Sequence, residues 1–333
     1  MSEDLLKQAQ QCCQDGDFTA AIKHYDTLLE QATEDGNKID LYHLKAQANA
    51  QLSDFDAASI ELQKALSLNQ NRSDLWHTKA ILACQQQQFP QAIADFNHAL
   101  QLEATYLPSL QGLSKLYYQL GEYENARQYY QHLLDLTPDN VTVYFDLALT
   151  CIQLQDLAQA ISQLQKAITI DPNFAKAYGQ LGQILLQQKQ YKEAAVNFSL
   201  RLNLEPHHAE TWHSLGQAEL YLGKITESIQ SFKNCIADNS QHLQVNQDLA
   251  NAYVRNGDFA LALTHYFRQL EVQANADCYY NIGVLLMYQE HNKDALQYLK
   301  HALKLDPSNL GGHINLANIY LKQNKHEEAA QHY

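Results

Sequence analysis

A chain of 333 residues with 46% apolar residues can bury a substantial core, and a net charge of −14 argues against gripping nucleic-acid phosphates or an anionic membrane. The N-terminal MSEDLLKQAQ lacks the basic-then-apolar order of a signal peptide, and no apolar run nears the roughly 20 residues needed to span a bilayer. The six cysteines form no CxxC pair. Cys12, Cys151 and Cys235 are expected to pack inside as small hydrophobes in a reducing, cytoplasmic compartment.

In chain order, the sequence predicts pairs of short helices around a turn, recurring every 34 residues. The predicted units are 2–35, 39–72, 73–106, 107–140, 141–174, 175–208, 209–242, 243–275, 276–309 and an incomplete 310–333, read as a single array. Unit 2–35 has a wet first helix, with Asp4, Lys7, Gln8 and Gln11, as suits a terminal cap. The joint from Glu34 to Lys38 is longer than the others, which predicts a local change of stacking. Units 39–72 and 73–106 carry Lys45 and Lys79 where other copies have Leu, read as lysines laying their stems on apolar surface. The run Gln85 to Gln88 reads as a solvated turn.

Unit 107–140, LPSLQGLSKLYYQLGEYENARQYYQHLLDLTPDN, is the clearest copy. Leu110, Leu113, Leu116 and Tyr117 share one helical face, and Ala126, Tyr130, Leu133 and Leu134 another. Gly121 separates the two runs, and Pro138, Pro172, Pro206 and Pro307 each follow a second helix. Unit 243–275 is one residue short and has Asn246 in place of the usual aromatic start, so an altered joint is expected there. Unit 310–333 stops at Tyr333 within its second helix, and the expectation is that the native chain continues.

Three columns hold through all ten copies. The eighth position is small (Ala9, Ala46, Ala80, Ser114, Ala148, Gly182, Gly216, Ala250, Gly283, Ala317). The twentieth is also small, from Ala21 to Ala329. The twenty-fourth is large and apolar: Tyr25, Leu62, Phe96, Tyr130, Leu164, Phe198, Phe232, Tyr266, Leu299, Tyr333. Small columns let paired helices approach, and the bulky column fills the space between pairs. With these columns, an aromatic near the start and a proline near the end, the chain resembles the tetratricopeptide repeat family over essentially its whole length. The resemblance implies an all-α, right-handed superhelical solenoid.

It also implies that the first helices line a concave groove. On the family's pattern, the expected partner-binding residues are His77, Asp146, Gln180, Gln183, Ser214, Gln217, Asp248, Asn251, Asn281, Asn315 and Asn318. Amides offer donors and acceptors to an extended backbone, and the acidic balance favours a neutral or basic protein or peptide. The carboxylate clamp of chaperone-binding members needs Lys at position five, which never occurs here. The asparagine ladder of arms that feed an O-linked N-acetylglucosamine transferase is matched only at Asn281 and Asn315.

No catalytic residue, cofactor or metal is expected. His207, His208 and His213 gather near one joint, but they read as exposed loop histidines rather than zinc ligands. Neither His24 with Asp26 nor Cys12 with His24 has a third group to complete a catalytic set, and no phosphate-binding glycine motif occurs. The reading is a non-catalytic interaction scaffold that binds a peptide in its groove, without nucleic acid or membrane. The alternative is the substrate-recruiting arm of a larger enzyme, a protein glycosyltransferase or a SAM-dependent methyltransferase with its catalytic domain beyond Tyr333. The uncapped last unit offers a face for self-association.

Overall fold

The computed structural model describes residues 2–333, which contain helices and no strand. Packing divides the chain into two compact units, one through Ile170 and one from Asp171 to Tyr333. In the first, α1 (Ser2–Gln14) pairs with α2 (Phe18–Gln31), α3 (Asp35–Gln51) with α4 (Phe55–Leu68) and α5 (Ser73–Gln85) with α6 (Phe89–Leu102). There, too, α7 (Leu107–Gln119) pairs with α8 (Tyr123–Leu136) and α9 (Val141–Gln153) with α10 (Leu157–Ile170). In the second, α11 (Ala175–Gln187) pairs with α12 (Tyr191–Leu204), α13 (Ala209–Tyr221) with α14 (Ile225–Asp238) and α15 (Val245–Asn256) with α16 (Phe259–Val272). The last pairs are α17 (Ala276–Tyr288) with α18 (Asn292–Leu305) and α19 (Leu310–Lys322) with α20 (His326–Ala330). Each hairpin packs on the next within its unit, giving an all-α solenoid.

Local chemistry sets the helix ends. Side chains of Asp17, Asp54, Asn140, Asn275 and Asn309 accept from the backbone N–H three residues on, capping α2, α4, α9, α17 and α19. Every hairpin turn passes through one residue of left-handed backbone. Four are Gly16, Gly121, Gly223 and Gly257; six are Ser53, Gln87, Gln155, Lys189, Glu290 and Asn324, with φ between 59° and 64°. The glutamine run is therefore such a turn: Gln85 ends α5, Gln87 bends the chain, and Gln88 precedes α6.

The small and bulky columns meet inside. A Cβ added to Gly182 would lie 2.6 Å from Phe198, and one on Gly216 2.7 Å from Phe232. The small residue is required because the ring sixteen positions on, in the partner helix, occupies that space. All the bulky residues from Tyr25 to Leu299 are buried. Tyr333 is not: α20 ends at Ala330, so Tyr333 is 73% exposed, its hydroxyl donating to Asn318.

Packing corrects two expectations and gives a physical account of two other irregularities. The extra residues Gly36, Asn37 and Lys38 lengthen α3 to 17 residues, against 13 for α5, rather than forming an irregular joint. Lys45 and Lys79 do not merely lie on apolar surface: Lys45 binds Glu61 at 3.0 Å and Asp26 at 2.5 Å, and Lys79 binds the buried Asp95 at 3.0 Å. Each lysine replaces a leucine, and the residue sixteen positions on is acidic in both cases, so charge is compensated within the hairpin. Cys12 is only half-buried, whereas Cys278 is buried with Cys151 and Cys235. Asn246 is buried and bonded to His265 at 3.0 Å, so a polar contact fills the place of the missing aromatic.

Candidate partner-binding site

The second unit gathers four of the expected binding residues around one cleft of about 320 Å³. Gln217, Asp248, Asn251 and Asn281 line it, with Arg255, Tyr221 and Tyr266. Helical spacing places them: Gln217 comes from α13, Asp248, Asn251 and Arg255 from successive turns of α15, and Asn281 from α17. Apolar residues Leu220, Val254, Val284 and Leu285 complete the wall.

The polar groups hold one another. Gln217 donates to Asp248 at 3.0 Å, and His213 Nε2 stands 2.7 Å from the same Asp248 oxygen. The Tyr266 hydroxyl donates to Asn251 at 2.5 Å, and burial holds that phenol well above the ordinary tyrosine range, so it stays a donor. Arg255 donates to the Leu220 carbonyl at 3.2 Å, which anchors its guanidinium at the rim. Asn251 thus accepts through its side-chain oxygen, and Asn281 adds a second amide to the lining.

Other expected residues lie beside the cleft or elsewhere. Gln183 donates to Ser214 at 2.7 Å, and Ser214, buried, donates to the Glu210 carbonyl, joining α11 to α13. Gln180 is half-buried on α11. Asn315 reaches the Tyr280 hydroxyl only at 3.5 Å, and Asn318 accepts from Tyr333. In the first unit, Asp146 lies on α9 and His77 on α5. His77 stands 3.2 Å from Ser109 and packs against Phe96 and Tyr106, and burial pulls its pKa down to about 4.

The histidine group suggested by sequence does not assemble. His207 is 91% exposed and bonded to Asp238, and His208 caps α13. His213 is no loop residue: it sits buried on α13, with its ring 4.4 Å from that of His242. The aromatic starts Trp76, Tyr178 and Trp212 tie their helices to the preceding loop through the carbonyls of Gln70, Pro172 and Pro206.

Sequence reasoning missed a polar cluster in the first unit. Arg72, in the loop before α5, binds Asp74 through two bonds of 3.1 and 2.5 Å and reaches Asp40 at 2.5 Å. His43 stands 2.6 Å from Thr78 and 3.0 Å from Gln47. Hydrogen bonds from His43 and Arg72 hold the Asp74 carboxyl well below the usual carboxylate range, against the opposing effect of burial. The available signal was the spacing of Asp40, His43, Gln47 and Arg72, which recurs as Glu210, His213, Gln217 and His242.

No helix among the described residues is long and apolar enough to cross a membrane. Tetratricopeptide repeat family models match residues 39–72, 106–173, 152–220 together with 286–333, and 213–277. Among solved structures, the C-terminal part of a TPR repeat-containing protein from Cytophaga hutchinsonii is 17% identical, with a TM-score of 0.61. The likeness covers 73% of this chain and 99% of that one. A tetratricopeptide repeat protein from Parabacteroides merdae is 17% identical over 76% of this chain and 100% of its own, with a TM-score of 0.53. YrrB, described as a TPR protein with an unusual peptide-binding site, is 21% identical over 55% of this chain and 95% of its own, at a TM-score of 0.51. At such identities the likeness is one of fold. No curated protein matches closely enough to count as a relative.

Proposed function

The chain belongs to the tetratricopeptide repeat family, and on that premise we propose that it is a protein-interaction scaffold whose cleft in the second unit holds an extended peptide segment. The observation that carries the proposal is the convergence of Gln217, Asp248, Asn251 and Asn281 from three successive first helices on one cleft, with an apolar wall beside them. Amide side chains can pair with peptide N–H and C=O groups without demanding one sequence, and the apolar wall takes alternate side chains. Asp248 supplies negative potential, which favours a neutral or basic segment. YrrB, which shares the fold, is described as having a peptide-binding site.

The test is a selection of displayed random peptides on the whole chain, followed by fluorescence anisotropy of the strongest sequence. The expected peptides carry Lys or Arg, and Asn251→Ala with Asn281→Ala should weaken binding about tenfold or more while far-UV circular dichroism is unchanged. Equal binding by the double variant would refute the cleft assignment.

A further inference from the structure

The two polar clusters are built on one template. Asp40, His43, Gln47, Arg72 and Thr78 in the first unit each have a counterpart 170 positions later: Glu210, His213, Gln217, His242 and Asp248. The contacts repeat as well. His43 Nε2 lies 2.6 Å from Thr78 and His213 Nε2 lies 2.7 Å from Asp248; Arg72 reaches Asp40 at 2.5 Å and His242 reaches Glu210 at 3.1 Å. Apart from the exchange of one acid for another at Asp40 and Glu210, three substitutions distinguish them. The second set has His242 where the first has the fixed cation Arg72, Gln244 where the first has Asp74, and the carboxylate of Asp248 where the first has the hydroxyl of Thr78.

The first cluster thus carries its own positive charge. The second has exchanged that charge for a second imidazole, so two imidazoles stand with two carboxylates, a donor set that suits a borderline divalent cation. We propose that Glu210, His213, His242 and Asp248 form a binding site for a divalent transition metal of the zinc class. One ligand atom from each of Glu210, His213 and His242 lies within 4.8 Å of the other two. In a tetrahedral zinc site with bonds of about 2.0–2.1 Å, ligand atoms stand roughly 3.4 Å apart, so these groups need close by only about an ångström.

The mobile partner for that closure is Glu210, whose side chain is 64% exposed, while the His213 and His242 side chains are 5% and 10% exposed and held by packing. Glu210 and His213 lie one helical turn apart on α13, His242 in the loop after α14, and Asp248 on α15, joined to the other three through His213 at 2.7 Å, so the ligands come from three elements. Gln217 donates to Asp248 and orients its carboxylate, the support that metal ligands require. Coordination through His242 Nε2 places the ring proton on Nδ1, displacing only a long 3.4 Å contact from the Gln244 N–H. Asp248 also borders the cleft, which gives an ion a path inward.

The site is tested with the whole chain carrying no polyhistidine tag, stripped by chelator and titrated with Co2+, then with Zn2+ in competition. The expected result is one ion per chain, a visible tetrahedral cobalt spectrum and its loss on adding zinc. His242→Ala and His213→Gln should each weaken the affinity at least about tenfold, with His207→Ala unchanged. His242 sits in a loop, so its variant reads the site even if His213→Gln perturbs folding, which circular dichroism monitors. Sub-stoichiometric uptake, or uptake that His242→Ala leaves intact, would overturn the proposal. The readout involves no peptide, so the peptide-cleft reading stands or falls separately.

Discussion

The Arg72 cluster and the His213 cluster occupy the same place in their respective hairpin stacks, and they solve the same electrostatic problem in opposite ways. In the first, Asp40 and Asp74 converge on a guanidinium that never loses its charge. In the second, Glu210 and Asp248 converge on imidazoles, which carry a full charge only when protonated. A repeated backbone can therefore hold a closed ionic latch at one point and an open donor set at another, through a few substitutions. This is how a solenoid specialises: the columns that stack the hairpins stay fixed, and the groove positions vary.

Breaking the latch should have the largest effect. Arg72→Ala leaves Asp74, only 29% exposed at its side chain, without the guanidinium it shares with Asp40 and with His43 as its remaining partner. The cost lies between the limits for exposed and buried ion pairs, at about 2 kcal/mol, read by urea unfolding at pH 7. The matched change His242→Ala should cost less than about 1 kcal/mol without metal, because it removes a single bond to the exposed Glu210 rather than a permanent cation held by two carboxylates. Equal losses would mean that the two clusters are not electrostatically different.

Acid separates the regions next. Burial lowers the pKa of both His77, beside the first cluster, and His265, bonded to Asn246 in the second unit, to about 4. The folded state holds them neutral, while the unfolded chain protonates near 6.5. The stability they provide is therefore full above pH 6.5 and is lost as pH falls toward 4. Asp74 stays ionised across that window and does not blur it. Midpoints of thermal unfolding should fall between pH 6.5 and 5, by an amount equivalent to about 1–2 kcal/mol, mostly from His265, which is 9% exposed. His265→Gln should flatten the profile more than His77→Gln does; the reverse order would place the main buried titration in the first unit.

Exchanging the distinguishing residue sharpens the comparison further. His242→Arg should let a guanidinium reach Glu210 and Asp248, raising metal-free stability by about 1 kcal/mol. The same variant should show no thermal shift with Zn2+, since the cation place is filled. A retained zinc shift would show that the ion binds elsewhere.

Much of the fold was legible because it rests on local periodicity and on columns of size. Ala9, Ala21 and Tyr25 already say that two helices meet closely beside a large ring. Gln217, Asp248, Asn251 and Asn281 line one cleft, since α13, α15 and α17 present equivalent faces. The clusters were harder to read. Arg72 and His242 lie outside helices and meet residues 32 positions earlier, a distance set by how hairpins stack rather than by any single helix. Lys45 with Glu61 and Lys79 with Asp95 were visible as a sixteen-residue spacing, but only once both were known to face inward.

The smallest test compares the turns that end the two histidine-bearing helices. After α3 the chain turns through Ser53 at φ 60°, and after α13 through Gly223 at φ 76°. A left-handed backbone costs a residue with a Cβ about 1–2 kcal/mol, while glycine gives up about 0.5–1 kcal/mol in unfolded-state entropy. Ser53→Gly should therefore stabilise slightly, by about 0.5 kcal/mol, and Gly223→Ala should destabilise by about the same. A Cβ at Gly223 meets nothing within 4 Å, so the second change isolates backbone strain from packing. Matched unfolding curves of opposite sign would show that the two hairpins turn by one mechanism, so that the clusters differ in their side chains alone. A loss on Ser53→Gly would instead mean that the serine side chain holds the α3 turn, and that the two sites do not share one scaffold.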